Sequence, residues 1–200
     1  MAEPATKLPT HMTVAEFLAW DGGGSQDRLQ LIDGEVRAQM SPATAAHGAI
    51  QAELAYVIRG TLRGTGLDRC RVITEAAVQP RARSDFNLRV PDLAVTCTPA
   101  APADVIVPSP VLIVEILSPG NAAETWANVW AYTTIPSVEE ILIVSSFEIA
   151  AQLLKRGDDG NWPKDPVALD DGDTLDLTTI GLSLHLRDNF AQTHLVEESK

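Results

Sequence analysis

The pattern of hydrophobic and polar positions along the chain predicts one long helix early in the sequence. Ser41 is placed to cap this helix, and Pro42 is placed at its first position, where a missing backbone N–H does no harm. One face of the helix carries a row of apolar residues: Ile50, Leu54, Val57, Ile58 and Leu62. His47 lies three residues before Ile50, so we expect its side chain on the inward face.

Two shorter patterns precede this helix. Thr13, with Glu16 three residues later, forms the capping box that is typical of a helix start. The dipeptide Asp33-Gly34 separates two short runs and supplies the positive φ angles of a tight hairpin turn. We therefore expect a short helix followed by two paired strands.

Several short runs after the long helix predict a sheet. The β-prone runs cover residues 71–74, 77–79, 93–95 and 111–117. The last run is apolar on both faces, which is typical of a central strand covered from both sides. The helix that follows places three residues on one stripe: Glu124, Asn128 and Tyr132.

These elements together predict an α/β (α+β) fold, a mixed β-sheet flanked by helices. The chain has no internal repeat, no low-complexity tract and no interdomain linker. We expect an N-terminal extension over residues 1–12, a single domain over residues 13–190 and a polar C-terminal tail over residues 191–200.

The composition is that of an ordinary globular protein. The 200 residues are 45% hydrophobic and 21% charged, enough for one domain with a substantial core. No apolar run approaches the roughly 18 to 20 residues that span a bilayer, and the N-terminus lacks the apolar region of a signal peptide. We therefore expect a cytoplasmic protein with no membrane partner. Cys70 and Cys97 lack CxxC spacing, which predicts reduced, half-buried thiols.

The charge distribution argues against a stable DNA-binding module. The formal net charge is -12, which repels polyanions at long range. It argues less against a metal-dependent nuclease, because such a site is itself acidic and a divalent cation screens it. Arginines nevertheless concentrate between Arg59 and Arg89. A solvated surface is the favoured interpretation of that stretch, and a phosphate-facing patch is the alternative.

Two carboxylates lie in unusual surroundings. Asp92 precedes a short apolar strand, and Glu115 lies inside an apolar run, 23 positions later. A carboxylate among aliphatic side chains is normally paired, neutralised or bound to a cation. If the two strands are neighbours, both groups converge on a hard cation such as Mg²⁺ or Mn²⁺. The competing interpretation is that Asp92 caps a turn and Glu115 pairs with an arginine.

The order of motifs along the chain resembles a known nuclease group. It reads "LIDGEV…MSP…H…VPDLAV…VLIVEILSPGN…ETW…Y…IPSVEEILIV". This pattern is similar to the PD-(D/E)XK nuclease superfamily, specifically its Uma-type branch of restriction endonucleases, over residues 13 to about 190. The resemblance implies a restriction-endonuclease-like mixed sheet flanked by helices, a Mg²⁺-dependent phosphodiesterase site and homodimerisation.

The resemblance also implies residue roles. Asp92 and Glu115 match the two acidic elements and would be metal ligands, with the carbonyl of Ile116 as a third oxygen. His47 matches a histidine of the helix after "SP" and would orient a phosphate or a water. The implied substrate is nucleic acid, in the first place DNA, bound weakly by this acidic chain.

The chain departs from the family pattern at several positions. Leu117 stands where the superfamily has a lysine, and relatives of this branch look to supply one from the next helix, at a position occupied here by Asn128. A glutamate is common where this chain has Gln30, and an aspartate where it has Glu124. An asparagine carries no positive charge, and losing one electrostatic donor costs about 10²- to 10³-fold in rate.

Two functions are therefore open at the level of sequence. The first is a Mg²⁺-dependent endonuclease, weak because of Asn128, in which Asp92 and Glu115 hold the metal and His47 or Gln30 positions groups nearby. The second is a catalytically degenerate relative that acts as a binding protein or dimeric scaffold.

Overall fold

A six-stranded mixed sheet forms the centre of the protein, with the strand order β3-β4-β5-β6-β7-β8. The computed structural model describes residues 11–22, 29–38, 44–99 and 101–197. The strands are β1 (Leu29–Ile32), β2 (Glu35–Ala38), β3 (Arg71–Thr74), β4 (Leu93–Thr96), β5 (Pro110–Leu117), β6 (Glu140–Ser145), β7 (Ala150–Lys155), β8 (Val167–Asp170), β9 (Thr174–Leu177) and β10 (Leu182–His185). The helices are α1 (Val14–Ala19), α2 (Ala45–Gly64), α3 (Ala122–Tyr132) and α4 (His194–Glu197), with 3-10 turns at Ser84–Phe86 and Leu186–Phe190.

The central sheet is mixed because β5 and β6 are parallel while the other neighbouring pairs are antiparallel. Helix α3 lies between β5 and β6 in the chain and makes the crossover that parallel strands require. The predicted fold class, a mixed sheet flanked by helices, is confirmed.

The two faces of the sheet are covered by different helices. On one face, Leu112 and Val114 of β5 pack with the apolar row of α2 and with the β9–β10 hairpin. On the other face, Ile113 packs with Val129 and Tyr132 of α3. Strand β5 is consequently buried on both sides, which confirms the prediction of a central strand.

The β1–β2 hairpin packs beside the sheet, as its turn sequence predicts. Asp33 and Gly34 have φ angles of 52° and 89°, so the two-residue turn has the left-handed backbone that Asp-Gly favours. Leu31 pairs with Leu88 through an isolated bridge, and both side chains belong to a small third cluster with Val14 of α1. The capping box at Thr13 and Glu16 is also confirmed.

Two predictions about these elements are wrong in part. Helix α2 is capped by Thr44, whose side chain accepts from the backbone N–H of His47, and not by Ser41, which lies outside the described residues. A second hydroxyl three residues further on competes for the capping position, and the pattern does not separate the two. Residues 77–79 form only isolated bridges, at Ala77 and Val78.

The expectation of two reduced thiols is contradicted. Cys70 and Cys97 form a disulfide. Arg71 pairs with Thr96 in the β3–β4 ladder, so the next residues outward are the two cysteines, directly opposite each other. The spacing along the chain gives no sign of this, because only the strand register brings them together.

Within the part of the chain that the structure describes, no helix combines the length and apolar character needed to cross a membrane.

The short helix α4 lies in the predicted C-terminal tail, and Leu195 and Val196 there pack against the cluster beneath α2.

Candidate active site

Asp92 and Glu115 lie opposite each other at one end of the central sheet. The β4–β5 ladder pairs Leu93 with Val114, and continuing that register by one residue places Asp92 across from Glu115. The neighbouring backbone also joins the two strands, because the N–H of Ile116 donates to Asp92 Oδ2 at 2.7 Å.

Glu115 is buried and is held by helix α3. Tyr132 donates its hydroxyl to Glu115 Oε1 at 2.7 Å. Burial, and next the negative charge of Asp92, raise the pKa of Glu115 well above its ordinary value, and the Tyr132 hydrogen bond lowers it only in part. No arginine forms an ion pair with Glu115 among the described residues. Within the described ranges, the alternative in which Glu115 pairs with an arginine therefore finds no support.

Asp92 is held from the other face of the sheet by helix α2. His47 Nε2 lies 3.1 Å from Asp92 Oδ1, and His47 Nδ1 lies 3.2 Å from the hydroxyl of Ser118. Thr44 fixes the start of the helix by accepting from the backbone N–H of His47 at 3.1 Å. The inward position of His47 is as predicted, and its ring connects Asp92 with the loop that follows β5.

A polar stripe on α3 borders the carboxylates. Glu124, Asn128 and Tyr132 lie one turn apart, and Asn128 and Tyr132 are buried. Gln30 Nε2 of the β1–β2 hairpin donates to Glu124 Oε1 at 2.9 Å. The Oδ1 atom of Asn128 is buried and has no hydrogen-bond partner among the described residues.

Arg89 is a buried cation near the same stripe that sequence reasoning did not single out. It donates from Nη2 to Asn87 Oδ1 at 3.0 Å, while its Nε and Nη1 have no partner among the described residues. Burial lowers the pKa of this guanidinium, and nearby Tyr132 opposes that shift. The only available sign was its place three residues before Asp92 in "RVPD".

The described lysines lie away from the carboxylates. Lys155 donates to the backbone carbonyl of Asp176 and forms an ion pair with Glu140, and Lys164 is exposed in the connection between β7 and β8. The resemblance implies a lysine at one of two positions, which are occupied here by Leu117 and Asn128. Within the described ranges, no lysine from elsewhere takes that place.

The side chains present fit a hard divalent cation. Asp92 and Glu115 offer oxygen only, which suits Mg²⁺ or Mn²⁺. Burial, and next the charge of Asp92, raise the pKa of Glu115, and a cation would offset both by stabilising the charged form. Asn128 Oδ1 is a further oxygen without a partner. Within the described residues, no group of three or more His, Cys, Asp or Glu side chains could hold a metal ion. A site here would therefore depend on the two carboxylates and on backbone or water oxygens.

The structure brings together most residues that the sequence suggested. Asp92, Glu115 and His47 form one cluster, and Gln30 and Asn128 border it through Glu124 and the α3 stripe. Ile116 contacts Asp92 through its N–H and not through its carbonyl, so a ligand role for that carbonyl stays a prediction. Sequence reasoning gave no role to Tyr132 or to Ser118.

Comparisons with known proteins match most of the chain to one family and one fold. The family described as "Uma2: Putative restriction endonuclease" matches residues 14–187. An uncharacterized protein of Synechocystis, slr1290, is 26% identical over 182 residues, which are 90% of this chain and 91% of that protein. A crystal structure described as a putative nuclease belonging to DUF820 from Anabaena variabilis superposes with a TM-score of 0.72 and 18% identity, over 90% of this chain and 98% of the other.

Proposed function

Because the chain belongs to the Uma2 family, whose description is "Putative restriction endonuclease", we propose that it is a Mg²⁺- or Mn²⁺-dependent endonuclease. Its reaction would be hydrolysis of phosphodiester bonds in nucleic acid, in the first place DNA. The observation that carries this proposal is the buried pair of Asp92 and Glu115 at neighbouring strands, in which burial, and next the charge of Asp92, raise the pKa of Glu115. Keeping both members of such a pair ionised is costly unless a cation binds them.

The side chains around the pair would hold it ready for a cation. Asp92 and Glu115 would bind the ion, which supplies a Lewis acid that polarises a phosphoryl oxygen and lowers the pKa of a water. Tyr132 fixes one oxygen of Glu115, and Ile116 N–H and His47 each fix one oxygen of Asp92. These hydrogen bonds orient the two carboxylates but leave each with free lone pairs, which a metal ion could use.

The activity is expected to be weak. Asn128 lies in the α3 stripe where the resemblance places a lysine, and its amide cannot supply a positive charge to the reacting phosphate. Losing one such donor costs about 10²- to 10³-fold in rate. Arg89 interacts electrostatically with Tyr132 and is buried. Its positive charge would therefore contribute to the electrostatic potential at the site without contact with the substrate.

A second candidate function is a degenerate relative that binds partners without catalysis. Asn128 supports it, because this residue keeps the helix position but not the charge. The expected homodimer would serve either function and, like the cytoplasmic location, stays a prediction.

Nicking of supercoiled plasmid tests the leading proposal. We expect slow nicking with Mg²⁺ or Mn²⁺, none with EDTA and none with Asp92→Ala. The exposed acid Asp158 provides a matched control, since Asp158→Ala removes the same group away from the site and should nick as wild type does. Nicking that survives Asp92→Ala would show that another site, or a contaminant, cuts the plasmid. No nicking by any form, under any of these metals, would favour the degenerate relative.

A further inference from the structure

A cleft runs between helix α2 and the outer edge of strand β3. It has a volume of about 720 Å³, and the residues that line it include Tyr56, Arg59, Arg63, Asp68, Arg71 and Thr74. Among the described strands, β3 is the first of the sheet and pairs with β4 alone, so its other edge forms one wall. We call this feature the α2–β3 cleft.

The charge of the α2–β3 cleft is opposite to that of the chain. Three arginines line it against a single acid, Asp68, although the whole chain has a net charge of -12. The Nη2 atom of Arg71 is buried and has no hydrogen-bond partner among the described residues. Concentrated guanidinium groups on an otherwise acidic protein indicate an anionic ligand at this place.

The cleft also presents an aromatic ring to solvent. Tyr56 is 75% exposed, the largest exposed fraction among the exposed large hydrophobic side chains of the described residues. It lies on α2 three residues before Arg59, and Gly60, the next residue after Arg59, has no side chain that could cover the ring. A basic groove with an exposed aromatic platform is the arrangement by which proteins bind single-stranded nucleic acid without sequence preference.

The near end of the cleft reaches the candidate active site. Gln51 Nε2 of α2 donates to the backbone carbonyl of Asp92 at 3.0 Å, and the N–H of Glu75 donates to the same carbonyl at 3.1 Å. Glu75 directly follows Thr74, which lines the cleft. One end of the cleft is therefore joined to Asp92 through its backbone.

One ridge of α2 connects the two ends. His47, Gln51, Arg59 and Arg63 lie at multiples of four residues along the helix, so their side chains follow one ridge, which turns around the helix axis by about 40° per step and about 160° from the buried His47 to the exposed Arg63. From His47 to Arg63 the helix rises about 24 Å at about 1.5 Å per residue. That length accommodates a segment of about four nucleotides, the lower end of known single-strand site sizes.

We propose that the α2–β3 cleft binds single-stranded nucleic acid that leads into the carboxylate site. Arg59, Arg63 and Arg71 contact backbone phosphates, and a base stacks on Tyr56. The direction of the strand toward Asp92 and Glu115 rests on the proposed nuclease function, whereas binding in the cleft does not need cleavage.

A second copy of this chain fits the cleft less well. The open edge of β3 could pair with the same edge of another copy, as edge strands do. A two-fold pairing would bring the arginines of both copies toward each other, and like charges across an edge oppose such pairing. The phosphates of a nucleic acid would instead neutralise the arginines, so the positive charge of the cleft favours nucleic acid over a second copy of the chain.

Fluorescence anisotropy with a labelled single-stranded oligodeoxynucleotide in EDTA tests the proposal without cleavage. Contacts with three phosphates predict that log K falls with log salt with a slope of about -2. Arg59→Glu should weaken binding by about tenfold and reduce the slope by about 0.7. Tyr56→Ala should weaken binding by about 5- to 150-fold, while Tyr56→Phe, which keeps the ring, should bind as wild type does.

Arg81→Glu is the matched control, because Arg81 is exposed and lines a different cleft. It changes the net charge by the same amount as Arg59→Glu and should have a clearly smaller effect. The proposal is overturned if the two variants weaken binding equally, if wild type does not bind, or if a duplex of the same sequence binds as tightly. If wild type nicks plasmid in any of these cases, the nuclease proposal is still supported and only the proposal of binding in the cleft is refuted.

Discussion

The hydroxyl of Tyr132 donates a 2.7 Å hydrogen bond to Glu115 Oε1. The acid inside the central strand is thus held by a neutral donor from helix α3 and faces a second acid, Asp92, across the ladder. A buried carboxylate with an arginine partner would be stabilised in its charged form. Here burial and the neighbouring charge act together against ionisation.

Metal-free stability should therefore depend on the ionisation of Glu115. The folded protein holds the Glu115 proton more tightly than the unfolded chain, whose pKa is near the ordinary value of 4.5. The stability is fully present below that pH and is lost as the pH rises toward the raised pKa, by at most about 1.4 kcal/mol per pH unit. We expect Glu115→Gln to remove this loss, because its amide stays neutral and still accepts from Tyr132.

Chemical denaturation in EDTA at a series of pH values measures this effect. Glu115→Gln should equal wild type at acidic pH and be as stable or more stable at neutral pH. Glu139→Gln, at an exposed glutamate, is the control and should keep the pH profile of wild type. A large loss of stability in Glu115→Gln at neutral pH would mean that the charged form has a partner that this account lacks.

Restoring a cation at position 128 should increase nuclease activity. Asn128 lies on the buried stripe of α3, one turn from Tyr132, and its Oδ1 has no partner among the described residues. A lysine there would place its ammonium group beside the two carboxylates. With Mg²⁺ or Mn²⁺ we expect Asn128→Lys to nick plasmid at least about tenfold faster than wild type, and Asp92→Ala in the same chain should erase the gain.

An added lysine also improves DNA binding simply by raising the net charge. Gln192→Lys makes the same amide-to-lysine change at an exposed residue and corrects for that effect at matched salt. Equal rates for Asn128→Lys and Gln192→Lys would show that position 128 does not act on the reacting phosphate.

The disulfide between Cys70 and Cys97 should contribute measurably to stability. The two residues are 27 positions apart, and closing a loop of that size stabilises a protein by about 3 to 4 kcal/mol in the chain-entropy account. Cys97→Ala should lose about that amount in urea denaturation without reductant. Wild type treated with dithiothreitol should fall to the stability of the variant, whereas an untreated wild type with two titratable thiols would contradict the bond.

Much of the fold follows from local sequence patterns. The capping box at Thr13, the Asp33-Gly34 turn and the two-sided burial of β5 each depend on a few adjacent residues. The same local rules place Asn128 and Tyr132 on one stripe of α3. The resemblance then directs attention to Asp92 and Glu115, which the strand register brings together.

Features that depend on register or on tertiary contacts were not predictable. The Cys70–Cys97 bond requires knowing that β3 and β4 are neighbours with a particular alignment. The donor to Glu115 was not foreseen, because a helix stripe does not specify which strand residue it meets. The position of Arg89 was not predictable for the same reason. Its burial near Tyr132 depends on packing around the β1–β2 hairpin and not on its local sequence.

Mn²⁺ titration by calorimetry tests the central claim most directly, because it asks whether Asp92 and Glu115 bind a cation. We expect about one Mn²⁺ per chain for wild type and for Glu139→Gln, and no measurable binding for Asp92→Ala or Glu115→Gln. At about 100 times its Kd, the ion should also stabilise wild type by about 2.7 kcal/mol. Equal Mn²⁺ binding by wild type and both site variants would contradict the account, because the ion would then lie elsewhere.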